Sequence, residues 1–90
     1  MSPREEKIRA GAEEITHLGE FQFVLYFEPY FAQGPYGQNI AKHAFTIDRN
    51  HISHRMIRER YDTLEEADEA LNHARDELAV HIAKIAFGLH

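Results

Sequence analysis

Phe21-Gln22-Phe23-Val24-Leu25-Tyr26-Phe27 sets four large apolar side chains at every second position. A period of two places Phe21, Phe23, Leu25 and Phe27 on one face of a strand, so a strand is predicted over Glu20 to Phe31 with that face against the core. Pro29 is expected to end the regular pairing or to sit on a sheet edge. Beyond it, Gly34-Pro35-Tyr36-Gly37 has the composition of a tight turn within a loop from Ala32 to Asn39. A second strand, Ile40 to Asp48, alternates Ala41, His43, Phe45 and Ile47 against Lys42, Ala44, Thr46 and Asp48. It puts His43 on the apolar side, where a hydrogen-bonded core histidine is expected. Asp48-Arg49-Asn50-His51 reads as a turn, and His51 to Tyr61 as a third strand whose weaker pattern does not identify a buried face.

On either side of these strands the period changes to that of a helix. Ser2-Pro3-Arg4-Glu5 has the form of a capping box with Pro3 at the first helical position. Ile8, Ala12, Ile15 and Leu18 follow at helical spacing, which predicts a helix over residues 3 to 18 closed by Gly19. After Tyr61, Asp62 or Thr63 is placed to cap a long helix with Glu65 and Glu66 in its first turn. Leu64, Ala67, Leu71, Ala74, Leu78, Ile82, Ile85 and Leu89 recur at steps of three or four. At about 100° per residue they form one stripe, and Val80, Ala83 and Phe87 fall nearly opposite it. The expected architecture is a single α+β domain over residues 1–90, a helix, a three-stranded antiparallel sheet and a long C-terminal helix (αβββα). Gly88 is placed to cap the last helix.

Composition narrows the classes of function. The 90 residues hold no cysteine, which removes disulfides, thiolate catalysis and Cys-ligated zinc. The longest apolar run, Phe23 to Phe27, is far short of the roughly 18 residues that suggest a membrane span, and the first residues lack an apolar signal core. A soluble cytoplasmic protein is therefore expected, with no membrane partner and no cofactor. The formal charge of −5 is uneven. Residues 1 to 20 sum to −2, residues 21 to 61 to +2, and residues 62 to 90 to −5. Wholesale binding to a phosphate backbone is disfavoured, while a local basic patch is permitted.

No catalytic template is found: there is no phosphate-cradling glycine loop, no G-x-S-x-G, no H-E-x-x-H and no calcium loop. Five groups of residues remain. Glu65, Glu66 and Glu69, with Asp62 and Asp68, make the start of the last helix acidic. Tyr30, Phe31 and Tyr36 make an aromatic loop, and Val80 and Phe87 lie on the second helix stripe. These are the candidate contacts for a protein partner, and the helix stripe is the candidate homodimer surface. Arg49, Arg55, Arg58 and Arg60 form the one basic concentration and are the candidate nucleic-acid contacts, unless they pair across the sheet with Glu28 and Asp48. His73, Glu77 and His81 stand at i, i+4 and i+8, which would put two imidazoles and a carboxylate on one helix face for a metal, though over two turns.

Helix, three antiparallel strands, helix resembles the double-stranded-RNA-binding domain in its order of elements. The resemblance implies RNA binding through basic residues at the start of the last helix, where this chain has Asp62-Thr63-Leu64-Glu65-Glu66. The same junction, Tyr61 to Ala67, is similar to HicB-type antitoxins, which enter a helix through a like phrase. The leading expectation is a small non-enzymatic protein-binding module. An inhibitor or adaptor fits, of the type phages and mobile elements direct at host systems. A nucleic-acid-binding domain is the second reading and a histidine-based metal-binding protein the third.

Overall fold

The computed structural model describes residues 1–88, and Leu89 of the predicted stripe lies outside them. Two helices cover one face of an antiparallel sheet: α1 (Pro3–Arg9), β1 (Glu14–Leu18), β2 (Phe21–Gln33), β3 (Asn39–Asn50), β4 (Met56–Tyr61) and α2 (Leu64–Ala86), with the strands in the order β1-β2-β3-β4. The α+β class is as expected, but the sheet has four strands rather than three.

The extra strand comes from the predicted first helix. That helix is seven residues long. Ser2 caps it, its hydroxyl accepting from the Glu5 amide, and the helix ends at Ala10. Gly11 follows with φ of +111°, outside the helical region. A glycine inside a helix costs about 1 kcal/mol relative to alanine. The β-branched pair Ile15-Thr16 instead extends and pairs with Val24 and Phe23 in the β1–β2 ladder. Ala12 and Ile15 matched the helical spacing with Ile8 by coincidence of period. Gly19, expected to cap the helix, is the first residue of the two-residue β1–β2 turn with φ of +60°, the positive value that such hairpins require there.

β2 and β3 are longer than predicted. Asp48, Arg49 and Asn50 pair with Arg58, Ile57 and Met56 rather than turning. The turn is His51 to Arg55, closed by the His51 amide donating to the Arg55 carbonyl at 2.7 Å. β4 therefore begins at Met56.

The predicted core face holds. Phe21, Phe23 and Leu25 are buried against α2. One cluster joins Ile8 of α1, Leu25, Phe45, Ile47, Leu64 and Ala67; a second joins Phe21, Phe23, Ala74 and Leu78. Leu71 packs against both. Each of these large side chains stabilises the fold by roughly 1.5 to 3 kcal/mol through burial. α2 thus runs antiparallel to β2, its start over Phe45 and its end over Phe21. His43 lies beyond this core. It is exposed and stacks on Phe27 at 5.3 Å, so it is a surface histidine rather than a buried one.

Arg4 ties three elements together: its guanidinium donates to both Glu14 oxygens of β1 and to both Asp68 oxygens of α2 at 2.7 to 2.8 Å. Hydrogen bonds to these carboxylates hold the Arg4 pKa well above its ordinary value.

Candidate functional site

The helices cover only part of the sheet. β1 and β4 flank β2 and β3 only over Phe21–Leu25 and Phe45–Asn50. From Glu28 and Ala44 outward, β2 and β3 continue alone as a two-stranded arm whose pairing runs to Gln33 and Asn39. The arm adds roughly 18 Å of ribbon at about 3.3 Å per residue. The result is an elongated, thin molecule of 51 × 34 × 17 Å, with a radius of gyration of 15.6 Å against about 12 Å for a compact chain of this length.

The aromatic residues singled out in the sequence sit on this arm. Phe31 is 75% exposed and Tyr36, at the turn, 92%. Tyr30 is half-buried beneath the Arg60 guanidinium, 4.6 Å from its ring centre. The turn is built by glycines: the Gly34 amide donates to the Gln38 carbonyl at 2.8 Å, and Gly37 takes φ of +77°.

At the opposite pole the last turns of α2 run past the β1–β2 turn. Val80 is exposed and Phe87 is 78% exposed, so the second stripe faces solvent. Beside it lies a cleft of about 370 Å³ lined by Gly19, Phe21, His54, His81, Ile82 and Ile85. Its rim includes His54, which the sequence pattern places within a strand and the structure places in the turn before β4. In the structure His54 turns the chain with φ of +65°, stacks on Phe21 at 5.3 Å, and sets Nε2 3.6 Å from a Glu20 carboxylate oxygen.

The four arginines do not converge. Arg58 and Arg60 project from the open sheet face and are held by acids, as the alternative pairing predicted: Arg58 Nε donates to Asp48 at 2.8 Å, and Arg60 Nε to Glu28 at 2.9 Å. Tyr26 donates its hydroxyl to Asp48 at 2.9 Å, and Thr46, fully buried beneath this layer, donates to Glu28 at 3.0 Å. The Arg58 hydrogen bonds lower the Asp48 pKa, while burial and the Asp48 contact push the Tyr26 phenol up to about 12. Arg49 belongs to the helix-covered face and pairs with Glu59 at 2.8 Å, and Arg55 lies in the loop before β4. A phosphate backbone would have to displace carboxylates to reach Arg49, Arg58 or Arg60.

Glu65, Glu66 and Glu69 are exposed on the first turns of α2. Glu66 and Glu69 border a shallow groove of about 400 Å³ with Tyr61, Ala70 and His73. His73, Glu77 and His81 line a separate groove with Ile52 and Val80, spread over two helical turns. Among the described residues no three His, Asp or Glu side chains come together to hold a metal ion. Nor is any described helix long and apolar enough to cross a membrane.

Compared with known proteins, the chain matches no family model, no curated protein and no solved structure.

Proposed function

We propose that this chain is a non-enzymatic protein-binding module, an inhibitor or adaptor that works through contacts at its two poles and at the acidic start of α2. The observation that supports it is surface. The accessible area is 6295 Å², about 900 Å² more than the roughly 5,400 Å² expected of a folded monomer of its 10.5 kDa. That surplus is close to the roughly 800 Å² one partner contributes to a standard interface. Phe31 and Tyr36 on the arm, and Ile85 and Phe87 at the end of α2, stand in solvent. Aromatic side chains in such positions supply contact area at low entropic cost.

Glu65, Glu66 and Glu69 add a charge term. An acidic helix start complements a basic target surface, speeds encounter, and competes for a site that otherwise holds nucleic acid. The pairing of Arg58 and Arg60 with Asp48 and Glu28 weighs against nucleic acid as the ligand of this chain itself. A gel mobility-shift assay with generic RNA and DNA at low salt tests the choice, since even non-specific phosphate binders score there. No shift at micromolar protein is expected. A salt-sensitive shift with either nucleic acid would overturn the proposal in favour of the arginine strand.

A further inference from the structure

β4 is an outer strand of the sheet, and the His51 amide, which donates to the Arg55 carbonyl, fixes how it bonds to β3: the pair stands in the same register as Arg49 with Ile57. Bonded pairs in an antiparallel ladder recur at every second residue. Ile57, Glu59 and Tyr61 therefore direct their N–H and C=O groups to β3, and Met56, Arg58 and Arg60 direct theirs outward. Such a row is a template for one more strand.

α2 walls this edge with acids. Glu66, Glu69 and His73 border one groove with Tyr61, and His73, Asp76 and Glu77 border the next with Ile52, just before β4. From Glu66 to Glu77 the helix rises about 16 Å at 1.5 Å per residue, and Met56 to Tyr61 spans about the same at 3.3 Å. The acids thus accompany β4 along its length, with Lys84 the one Lys or Arg among the described residues of the two grooves. On the open sheet face Asp48 and Glu28 already pair with Arg58 and Arg60.

We propose that β4 is a docking edge for an extended segment of a partner protein that carries Lys or Arg at every second position and uncharged residues between them. Successive side chains of a strand point to opposite faces, so the basic ones meet the α2 acids while threonine-like ones lie beside the paired arginines. This rests on the reading of the acidic start of α2 as a protein contact, and it names the element that meets it. The other outer strand lacks this wall: α2 meets β1 with Arg75 as well as Asp76 near Leu18, and Arg4 occupies Glu14 and Asp68. The arm edges extend beyond the helices. A second copy does not fit either, since β1 contains no Lys or Arg, and an antiparallel pair of β4 strands would set Arg58 against Arg58 or Arg60 and carry Glu59 towards the acids.

Two blocked peptides of one composition test this by backbone amide NMR titration: Lys-Thr repeated four times, and four lysines followed by four threonines. The alternating peptide is expected to shift the Arg58 and Arg60 amides and to bind at least about tenfold more tightly than the block peptide. Glu69→Lys with Glu77→Lys should weaken it about tenfold at low salt. Arg58→Pro removes an outward N–H and spares the β3 ladder, so it should abolish binding, while Arg58→Thr, with the same loss of charge, retains it. Equal affinity for both peptides, shifts confined to β1 or the arm, or no shift at millimolar peptide would overturn the proposal. A host protein lost on reversing Glu65, Glu66 and Glu69 but kept by R58P would overturn strand addition and leave the protein-contact reading standing.

Discussion

Ile82 closes on Gly19: a Cβ built on Gly19 would lie 3.4 Å from Ile82 Cδ1, so the late turns of α2 rest on the β1–β2 turn. This contact puts the helix end and the β2–β3 arm at opposite poles. It also constrains Gly19, whose φ of +60° is unfavourable for a residue with a side chain. Gly19→Ala is expected to lower stability by about 1 to 2 kcal/mol, mainly from the backbone, since the contact itself is of ordinary length. Gly19→Asn should cost less, because asparagine tolerates the left-handed region. Urea unfolding midpoints of the two variants check the order.

The Arg4 bridge joins α1, β1 and α2 through partly exposed side chains. Solvent screening limits an exposed pair to about 0 to 1 kcal/mol, and the double fork to Glu14 and Asp68 places this one near the upper end. Arg4→Ala should therefore lower stability by about 1 kcal/mol at low salt, with a smaller loss at molar salt. Denaturant unfolding at both ionic strengths measures the difference.

Thr16 Oγ1 is buried on β1 without a hydrogen-bond partner. An unmet hydroxyl costs about 1 to 3 kcal/mol, and valine keeps the β-branched shape that a strand favours. Thr16→Val is expected to raise stability by about 1 kcal/mol, read as a higher urea midpoint at unchanged slope.

Tyr26 links the open face to pH. Its pKa is raised from 10.0 to about 12, so the folded state holds the phenolic proton more tightly than the unfolded chain does. The associated stability is full below about pH 10 and is lost as pH rises through about 12. A tyrosine absorbance titration should show a component near pH 12 that Tyr26→Phe removes. Asp48 shifts the other way: its lowered pKa gives stability that is present above the ordinary aspartate value and lost as pH falls through the folded value.

The parts of the fold that a single period controls were legible in the sequence. Phe21 to Phe27 alternates without interruption, and Leu64 to Ile82 repeats every three or four residues, so the central strand and long helix were recoverable from side chains alone. β1 was not, because Ile8, Ala12 and Ile15 fit a helix as well as they fit a helix, a turn and a strand; the pairing of Ile15 with Val24 decides between them. β3 reaches through Asp48-Arg49-Asn50, whose turn-like composition is overridden by pairing with β4. Of the candidate contacts, the aromatic residues and second helix stripe were visible as spacing. Separation of Arg49 from Arg58 and Arg60 depended on strand register, and the cleft beside His54 on a tertiary contact that leaves no pattern in the sequence.

The most direct test of the protein-contact reading is affinity capture from the native host, with protein and nucleic acid both identified by mass spectrometry. Unmodified chain, a Phe31→Ser and Tyr36→Ser double variant, and a variant with Glu65, Glu66 and Glu69 reversed to Lys are compared. The prediction is a protein retained after nuclease treatment, lost with the double variant, and bound more weakly and with less salt dependence by the charge-reversed one. Recovery of nucleic acid alone, or of a protein held equally by all three chains, would contradict it.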